Sequence, residues 1–528
     1  MKPKTERKIA GMLRIAFVGL AIIFQLLLII LLVRILKTQA IYVYVLIEIV
    51  SVVDVIFLVS KNKSSSYTIT WLLIIFILPV FGHILFLLWG KSATHGWRTK
   101  RLKTSIKRGA GFLEKDPDVY AELGRIHPTR KRISGYLGRK NFPLYENTGC
   151  TYFPLGEEQF EVMLADMENA DKFIFLEYFI LNNGQLWDRI EDVLIRKAGQ
   201  GVDVRLMFDD LGSIVTAPDN LIKKLKKHNI QAMRFNPVHR YISRLYLNYR
   251  NHQKITVIDG NIGYTGGTNI ADEYANIYPK HGHWKDTAIR LEGDAVWSLT
   301  VTFLQMWESE SNTVTDYEVY RPTISGEGQG FYQPFSDGPV NNPDNPAEVM
   351  YRTIINNAKD YVYITTPYLV IDNTMLEALC TAAQGGTDVR IITPKIWDHW
   401  YVHTVTRSNY GELLESGVRI YEYTPGYMHA KTIISDDDHA VMGSINMDYR
   451  SFHLHYENGV WICGTPVLQE IKKDICDTFE VCEEINLDEW LRRPWYVKFI
   501  QTILRVFAVL MERVTMNKAS NIKRVMCL

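Results

Sequence analysis

Hydrophobic residues run along this chain in two regimes. Up to about residue 90 they form long runs. Ile15 to Val33 is a 19-residue stretch between Arg14 and Arg34, broken only by Gln25, and Thr68 to Trp89 is a second, carrying Pro79, Gly82 and His83. Each is long enough for a bilayer-spanning helix, which needs about 20 residues. Between them Ile41 to Val59 is equally long but contains Glu48 and Asp54. Each acid costs roughly 2.5–3.5 kcal/mol near a helix centre, so two or three spans are expected from residues 1–92.

From about residue 150 the apolar runs are short and strand-like, alternate with helical stretches, and repeat once. DKFIFLEYFI (171–180) has its counterpart in DYVYITTPYLV (360–370). GVDVRLMF (201–208) matches GTDVRIIT (386–393), and HNIQAMRF (228–235) matches SGVRIYEY (416–423). Residues 325–346 are rich in Gly, Pro and Asn, the composition of a linker. The pattern predicts a membrane anchor over 1–92 and a basic juxtamembrane connector over 93–149. Two similar α/β units follow, over 150–324 and 347–487, related by a pseudo-twofold axis. The tail 488–528 holds a helix after Pro494. There Lys498, Gln501, Thr502, Arg505 and Glu512 share one face, and Phe499, Ile500, Ile503, Leu504, Phe507 and Leu510 share the other. Such a helix suits a membrane surface.

Composition narrows the function. The formal net charge is +1, so no global field attracts nucleic acid. Six scattered cysteines show neither metal spacing nor a disulfide framework, in keeping with a cytoplasmic catalytic region. Lys2, Lys4, Arg7 and Lys8 precede the first span, and Lys91, Arg98, Lys100, Arg101, Lys103, Lys107 and Arg108 follow the last. Both clusters favour the cytoplasmic side, and the second suits anionic headgroups.

The chemistry concentrates at one place in each half. NHQKITVIDGNIGYTGGTN contains His252, Lys254, Asp259, Gly266, Gly267 and Asn269; MHAKTIISDDDHAVMGSIN contains His429, Lys431, Asp436, Gly443, Ser444 and Asn446. Both fit H-x-K-x4-D-x6-G-[GS]-x-N, too long a pattern to occur twice by chance. On a strand, the histidine and lysine of each motif point to one face. The expected catalytic set is thus His252, Lys254, Asp259, His429, Lys431 and Asp436, with Asn269 and Asn446 on the phosphate. The two aspartates stand before turns and are expected to cap them.

These motifs resemble those of the phospholipase D superfamily, and LEYFI, FDDLGS, RFNP, RNHQKI, GHWKDT, TTPYL and GSINMDYRS resemble its bacterial cardiolipin synthase branch. The likeness runs from about residue 41 to 490, and residues 70–90 resemble the family's N-terminal membrane hairpin. The resemblance implies two phospholipase D-like units preceded by transmembrane helices, in a multi-pass protein of the bacterial cell membrane. It implies no cofactor and no metal, phosphatidylglycerol as substrate, anionic membrane lipids as surroundings, and no nucleic acid. It also implies a covalent phosphohistidine on His252, with His429 as acid and base. Asp286 and Glu457, which follow His252 and His429 by 34 and 28 residues, are expected to orient their respective histidines. Glu177, an acid with no counterpart in the second half, is a candidate headgroup contact. A phospholipase D-type hydrolase, a phosphatidyltransferase with another acceptor, a nuclease and an inactive scaffold are the rival readings.

Overall fold

In the computed structural model the β-rich runs of the two halves form two sheets of matching order. Residues 27, 40–60, 65–78, 81–86, 97–237, 249–342 and 344–514 are described. The strands, in chain order, are β1 (Thr148–Phe153), β2 (Phe173–Tyr178), β3 (Asp203–Asp209), β4 (Gln231–Phe235), β5 (Arg250–Asn251), β6 (Ile255–Ile258), β7 (Ile262–Gly266), β8 (His283–Lys285), β9 (Ala288–Gly293) and β10 (Phe331–Asp337). They continue with β11 (Tyr361–Thr365), β12 (Leu369–Val370), β13 (Asp388–Pro394), β14 (Arg419–Tyr423), β15 (Gly426–Met428), β16 (Thr432–Ser435), β17 (His439–Gly443), β18 (Met447–Asp448), β19 (His455–Cys463) and β20 (Cys482–Glu484).

The first sheet runs β1-β9-β7-β6-β2-β3-β4 and the second β10-β19-β17-β16-β11-β13-β14-β20. The seven strands of the first sheet match those from β10 to β14 of the second in order, and β20 and the off-path β5 are additions to the second. β2, β3 and β4 are parallel, as are β11, β13 and β14, while β6 and β16 lie antiparallel to β2 and β11. The central strands are buried on both faces, which explains why FIFLEY and YVYIT read as continuous apolar runs rather than alternating ones. Helices Gly156–Glu168 and Gln185–Gly199 cover the outer face of the first sheet, and Pro346–Asn357 and Asn373–Gln384 that of the second. The inner faces share one core, into which helices Val296–Ser311 and Val467–Phe479 pack.

Two segments differ from expectation. The Gly- and Pro-rich stretch 325–346 is more than a linker: it supplies β10, which pairs along its whole length with β19. The connector 93–149 is likewise folded. Its helix Trp97–Ala110 lies on Val296–Ser311, where Ser105 Oγ donates to Gln305 O at 2.7 Å and Arg101 to Glu308 O at 3.1 Å. Part of the basic cluster is therefore spent on protein contacts.

The chain divides into two compact units, the catalytic-sized one beginning at Thr94 and ending at Lys498. In the other, helices Ala40–Val59, Ser65–Ile77 and Phe81–Leu85 are described, and the expected span 15–33 lies outside the described residues apart from Leu27. Taken on the described residues, no helix is long and apolar enough to cross a membrane. The run 68–89 is interrupted, its helix ending at Ile77 before Pro79. Many apolar side chains here nonetheless face outward, among them Ile41, Leu46, Val53, Ile56, Phe76 and Ile77. The polar Ser51, Asp54 and His83 turn to one another instead: Asp54 Oδ2 and Ser51 Oγ lie 2.6 and 2.9 Å from the two ring nitrogens of His83. The helix Trp495–Val514 turns Phe499, Ile500 and Ile503 outward while Gln501 is buried. Thr70 Oγ1 donates to Val506 O at 2.9 Å.

Candidate active site

Each motif histidine stands at the start of the strand that continues as β6 or β16, and each is held there by the opposite half. β5, just before His252, pairs in parallel with the start of β19, and His252 N donates to Tyr456 O at 2.9 Å. β15, just before His429, pairs in parallel with β8, and His429 N donates to Lys285 O at 2.7 Å. The crossing decides which carboxylate meets which imidazole. Glu457 lies 2.9 Å from His252 Nδ1, and Asp286 lies 2.5 Å from His429 Nδ1. That is the reverse of the expected pairing: each histidine takes the acid that follows the other one, because each motif strand is continued sideways by the other half. With Nδ1 engaged, Nε2 of each ring is the free nitrogen.

The supports of the two carboxylates differ. Glu457 is fully buried and also accepts from Ser444 Oγ at 2.5 Å and Ser451 Oγ at 2.7 Å. Asp286 accepts from Thr287 N at 2.9 Å and is approached by Gly267, where an added Cβ would stand 1.9 Å from Asp286 Oδ1. The variable position of the G-[GS]-x-N turn thus has two uses: glycine makes room for Asp286 in one half, and serine donates to Glu457 in the other.

Lys254 and Lys431 are buried beside the histidines, and each donates to the backbone carbonyl of its own motif histidine. Burial pushes their ammonium groups down, to about 7 for Lys254 and about 8 for Lys431. Burial and then the neighbouring lysine charges depress the histidines too, His429 to about 4 and His252 well below its ordinary value. The four groups form one electrostatic cluster, with His429 and both lysines contributing to the depression of His252. A dry pocket of groups that resist charge is one that an anionic ligand would recharge.

The remaining expected residues divide. Asn269 is buried there, but Oδ1 accepts from Ile180 N at 3.0 Å and Nδ2 donates to Tyr274 OH at 2.9 Å, so the fold already uses its amide. Asn446 is buried with Oδ1 unpartnered and a single long contact, 3.5 Å, from Nδ2 to Asp448. The motif aspartates do not join the catalytic set. Asp259, at φ +54°, accepts from the backbone N–H groups of Asp171, Lys172 and Phe173; Asp436, also at φ +54°, does the same for Lys359, Asp360 and Tyr361. They tie the turn after the motif strand to the start of β2 or β11. Glu177 is sealed from the cleft and accepts from Asn251 Nδ2, its other oxygen unpartnered. Burial pushes its carboxyl up to about 8. It braces the residue before His252 rather than meeting a headgroup. Asp209 of FDDLGS does similar work, accepting from Asn251 N at 3.0 Å and from the buried Arg250 at 3.3 Å.

Sequence reading missed the walls of the site. His455 stacks 5.2 Å from His252 and Phe179 lies 4.9 Å from it; Tyr274, Trp284 and Tyr427 surround His429 at 5.2, 5.4 and 6.0 Å. The Gly267/Ser444 difference was the one signal available for the supporting shell. His252, His455 and Glu457 bring possible metal ligands within 4.8 Å of one another. Glu457 already accepts from His252 and from two hydroxyls, so this donor set is better matched to orienting an imidazole than to holding a resident ion.

The comparisons agree with this geometry. The family described as "Cardiolipin synthase, PLD-like domain" matches residues 163–278 and 351–477, and "Phospholipase_D-nuclease N-terminal" matches 40–91. An uncharacterized protein of Streptococcus mutans is 38% identical over 468 residues, 87% of this chain and 99% of that protein. Cardiolipin synthase 2 of Bacillus anthracis is 35% identical over 467 residues, 87% of this chain and 89% of its own length. The cardiolipin synthase of Geobacillus kaustophilus is 33% identical, with 85% and 90% covered. Among solved structures, phosphatidylserine synthase of Haemophilus influenzae shares the fold, with a TM-score of 0.55 at 16% identity over 73% of this chain and 98% of that one.

Proposed function

This chain belongs to the cardiolipin synthase family of phospholipase D-like proteins, and from that premise we propose how its site makes cardiolipin. The reaction moves a phosphatidyl group from one phosphatidylglycerol to the hydroxyl of another and releases glycerol. One observation carries the mechanism: two imidazoles in one buried cluster, each with Nδ1 on a carboxylate of the other half, each with a lysine beside it.

In the first step His252 Nε2 attacks phosphorus. The N–P bond forms as the P–O bond to glycerol breaks, and His429 gives its Nε2 proton to the departing oxygen. In the second, His429 takes the proton of the incoming hydroxyl, whose oxygen displaces His252 from phosphorus. Glu457 keeps the proton of His252 on Nδ1 and steadies the positive charge that develops. The phosphodiester anion favours the charged forms of Lys254 and Lys431, which then stabilise the non-bridging oxygens. The same anion raises His429, so it can arrive protonated and act as an acid.

The protein is membrane-associated, and we place it as a multi-pass protein of the cell membrane. The outward apolar side chains of 40–59 and 65–77 and the outward Phe499, Ile500 and Ile503 support that placement. The test of the reaction is purified protein in mixed micelles with phosphatidylglycerol, with lipid products and glycerol measured together. Cardiolipin and glycerol in equal amounts are expected; phosphatidate and glycerol without cardiolipin would make the protein a hydrolase.

A further inference from the structure

Tryptophan is spread unevenly over the catalytic-sized unit. Of the tryptophans described there six are buried, while Trp397 is 52%, Trp400 56% and Trp495 77% exposed. Trp397 and Trp400 flank Asp398 and His399, where the helix Trp400–Ser408 begins. This turn is held fast. Asp398 accepts from Tyr368 OH at 2.5 Å and from His399 N at 2.7 Å, His399 Nδ1 lies 2.9 Å away, and the buried Tyr427 hydroxyl completes the set. Tyr427 is one of the rings around His429, so the two outward indoles are pinned to the wall of the site.

The other half adds to the same rim. Ile277 and Tyr278 are exposed, Tyr278 at 60%, and lead into Lys280 and His281. Lys280 and His281 lie within electrostatic reach of His399, and His281 of Asp398 as well. His281 also faces Trp284 at 6.2 Å and Tyr427 at 5.9 Å, both of them neighbours of His429. Tyr278, Trp397 and Trp400, with Ile277 and Ile396 beside them, thus form an aromatic rim on the His429 side of the site.

Charge and residue type identify what the rim meets. Lys280 is paired with Glu273 at 2.9 Å, Lys395 with Glu483, and Asp398 with His399. With its charges paired, the rim offers apolar area. Tryptophan and tyrosine suit the headgroup level of a bilayer, where one end of each ring meets hydrocarbon and the other water. The helix Trp400–Ser408 points the same way. Arg407 near its end and Arg493 both sit over the ring of Trp490, 5.2 and 3.1 Å from its centroid. The helix therefore leads from the rim to the start of Trp495–Val514, where Trp495 and Tyr496 are again exposed.

Resting on the membrane placement above, we propose that Tyr278, Trp397 and Trp400 insert into the headgroup layer of the bilayer and seat the His429 side of the site on it. Phosphatidylglycerol then reaches His429 headgroup first, its acyl chains still among lipid. The rim works by apolar area rather than by charge, so its contact with lipid is insensitive to salt.

The experiment reconstitutes the full chain in vesicles of phosphatidylcholine and radiolabelled phosphatidylglycerol. Photoreactive benzoylphenylalanine replaces Trp397, Trp400 or Tyr278 or, as a control, Val319. Val319 is 67% exposed and adjoins Tyr320, which bonds Asp203 at the start of β3, the end of the sheet away from His252. After illumination, lipid label should be about tenfold higher at the rim positions than at 319, in low and high salt alike. Trp397→Ala/Trp400→Ala should cut cardiolipin formation from vesicle phosphatidylglycerol about tenfold, yet keep turnover of short-chain phosphatidylglycerol below its micellar concentration within about twofold. Rim label no higher than at 319, rim label lost in high salt, crosslinks to a second copy of the chain in place of lipid, or equal loss on both substrates would overturn the proposal. Crosslinking needs no turnover, so wild type that labels at the rim but makes no cardiolipin would overturn the reaction assignment and leave the rim standing.

Discussion

Replacing Glu457 with Gln keeps its size and removes one charge. The wild-type carboxylate accepts three times, from His252 Nδ1 at 2.9 Å, Ser444 Oγ at 2.5 Å and Ser451 Oγ at 2.7 Å. Glutamine has one acceptor oxygen and one donor NH2, so in a fully buried site one of the three partners must face a donor. Losing a charge-assisted hydrogen bond costs about 1.5–3 kcal/mol, or roughly 10–10² in rate. If the amide faces His252, Nδ1 must accept and the proton moves to Nε2, the nitrogen that should attack. In serine proteases the corresponding Asp-to-Asn change costs about 10⁴. Formation of phosphatidyl-enzyme should therefore fall by about 10²–10⁴. Asp286→Asn acts on His429 and should spare this step when the leaving group is nitrophenolate, which needs no proton. The assay is rapid quench with a radiolabelled nitrophenyl phosphodiester of phosphatidate, counting acid-labile, base-stable label on protein. Wild-type labelling in Glu457→Gln, or the loss appearing in Asp286→Asn instead, would refute the assigned roles.

Three further outcomes follow from the same geometry. With His429 at about 4 and His252 held well below its ordinary value by burial and the neighbouring lysine charges, kcat/KM, which reports the free enzyme, should rise as pH falls from 7 to about 5 and His429 gains the proton it donates. It should fall as pH rises through 7 to 8, where Lys254 and Lys431 lose their charge; an acid limb near 6.5 in a pH–rate profile would contradict this. Gly267→Ala places a methyl 1.9 Å from Asp286 Oδ1, so transfer to phosphatidylglycerol should drop at least tenfold while Gly199→Ala, with open space at its Cβ, leaves the rate alone. Asp259→Ala orphans three backbone N–H groups and should lower unfolding free energy by about 1–3 kcal/mol in denaturant titration, with kcat of the folded fraction kept within about threefold.

The duplicated motif and the duplicated order of strand runs are visible in the sequence because both rest on local periodicity. His252, Lys254, His429 and Lys431 do come together, through pairings between β5 and β19 and between β8 and β15 that no spacing along one half reveals. The same crossing gave Asp286 and Glu457 to the opposite histidines. β10 was hidden because Gly, Pro and Asn at 325–346 outweigh FYQPF, and the strand forms only by pairing with β19. For Glu177, at the end of an apolar strand, a headgroup contact and a structural acceptor are equally compatible with the sequence, and only the packed structure shows it sealed beneath Asn251. Tyr274, Trp284 and Tyr427 carried no signal, since isolated aromatics in an α/β chain are ordinarily core.

The central claim is that the covalent phosphatidyl group resides on His252 of the two-histidine site. The most direct measurement is peptide mapping of enzyme trapped with the nitrophenyl donor in the His429→Ala background, where the acceptor hydroxyl cannot be deprotonated. The account predicts a phosphoramidate on the peptide containing His252, and no label in the His252→Ala variant. Label on the His429 peptide of the His252→Ala variant, with none on His252 in its counterpart, would contradict it.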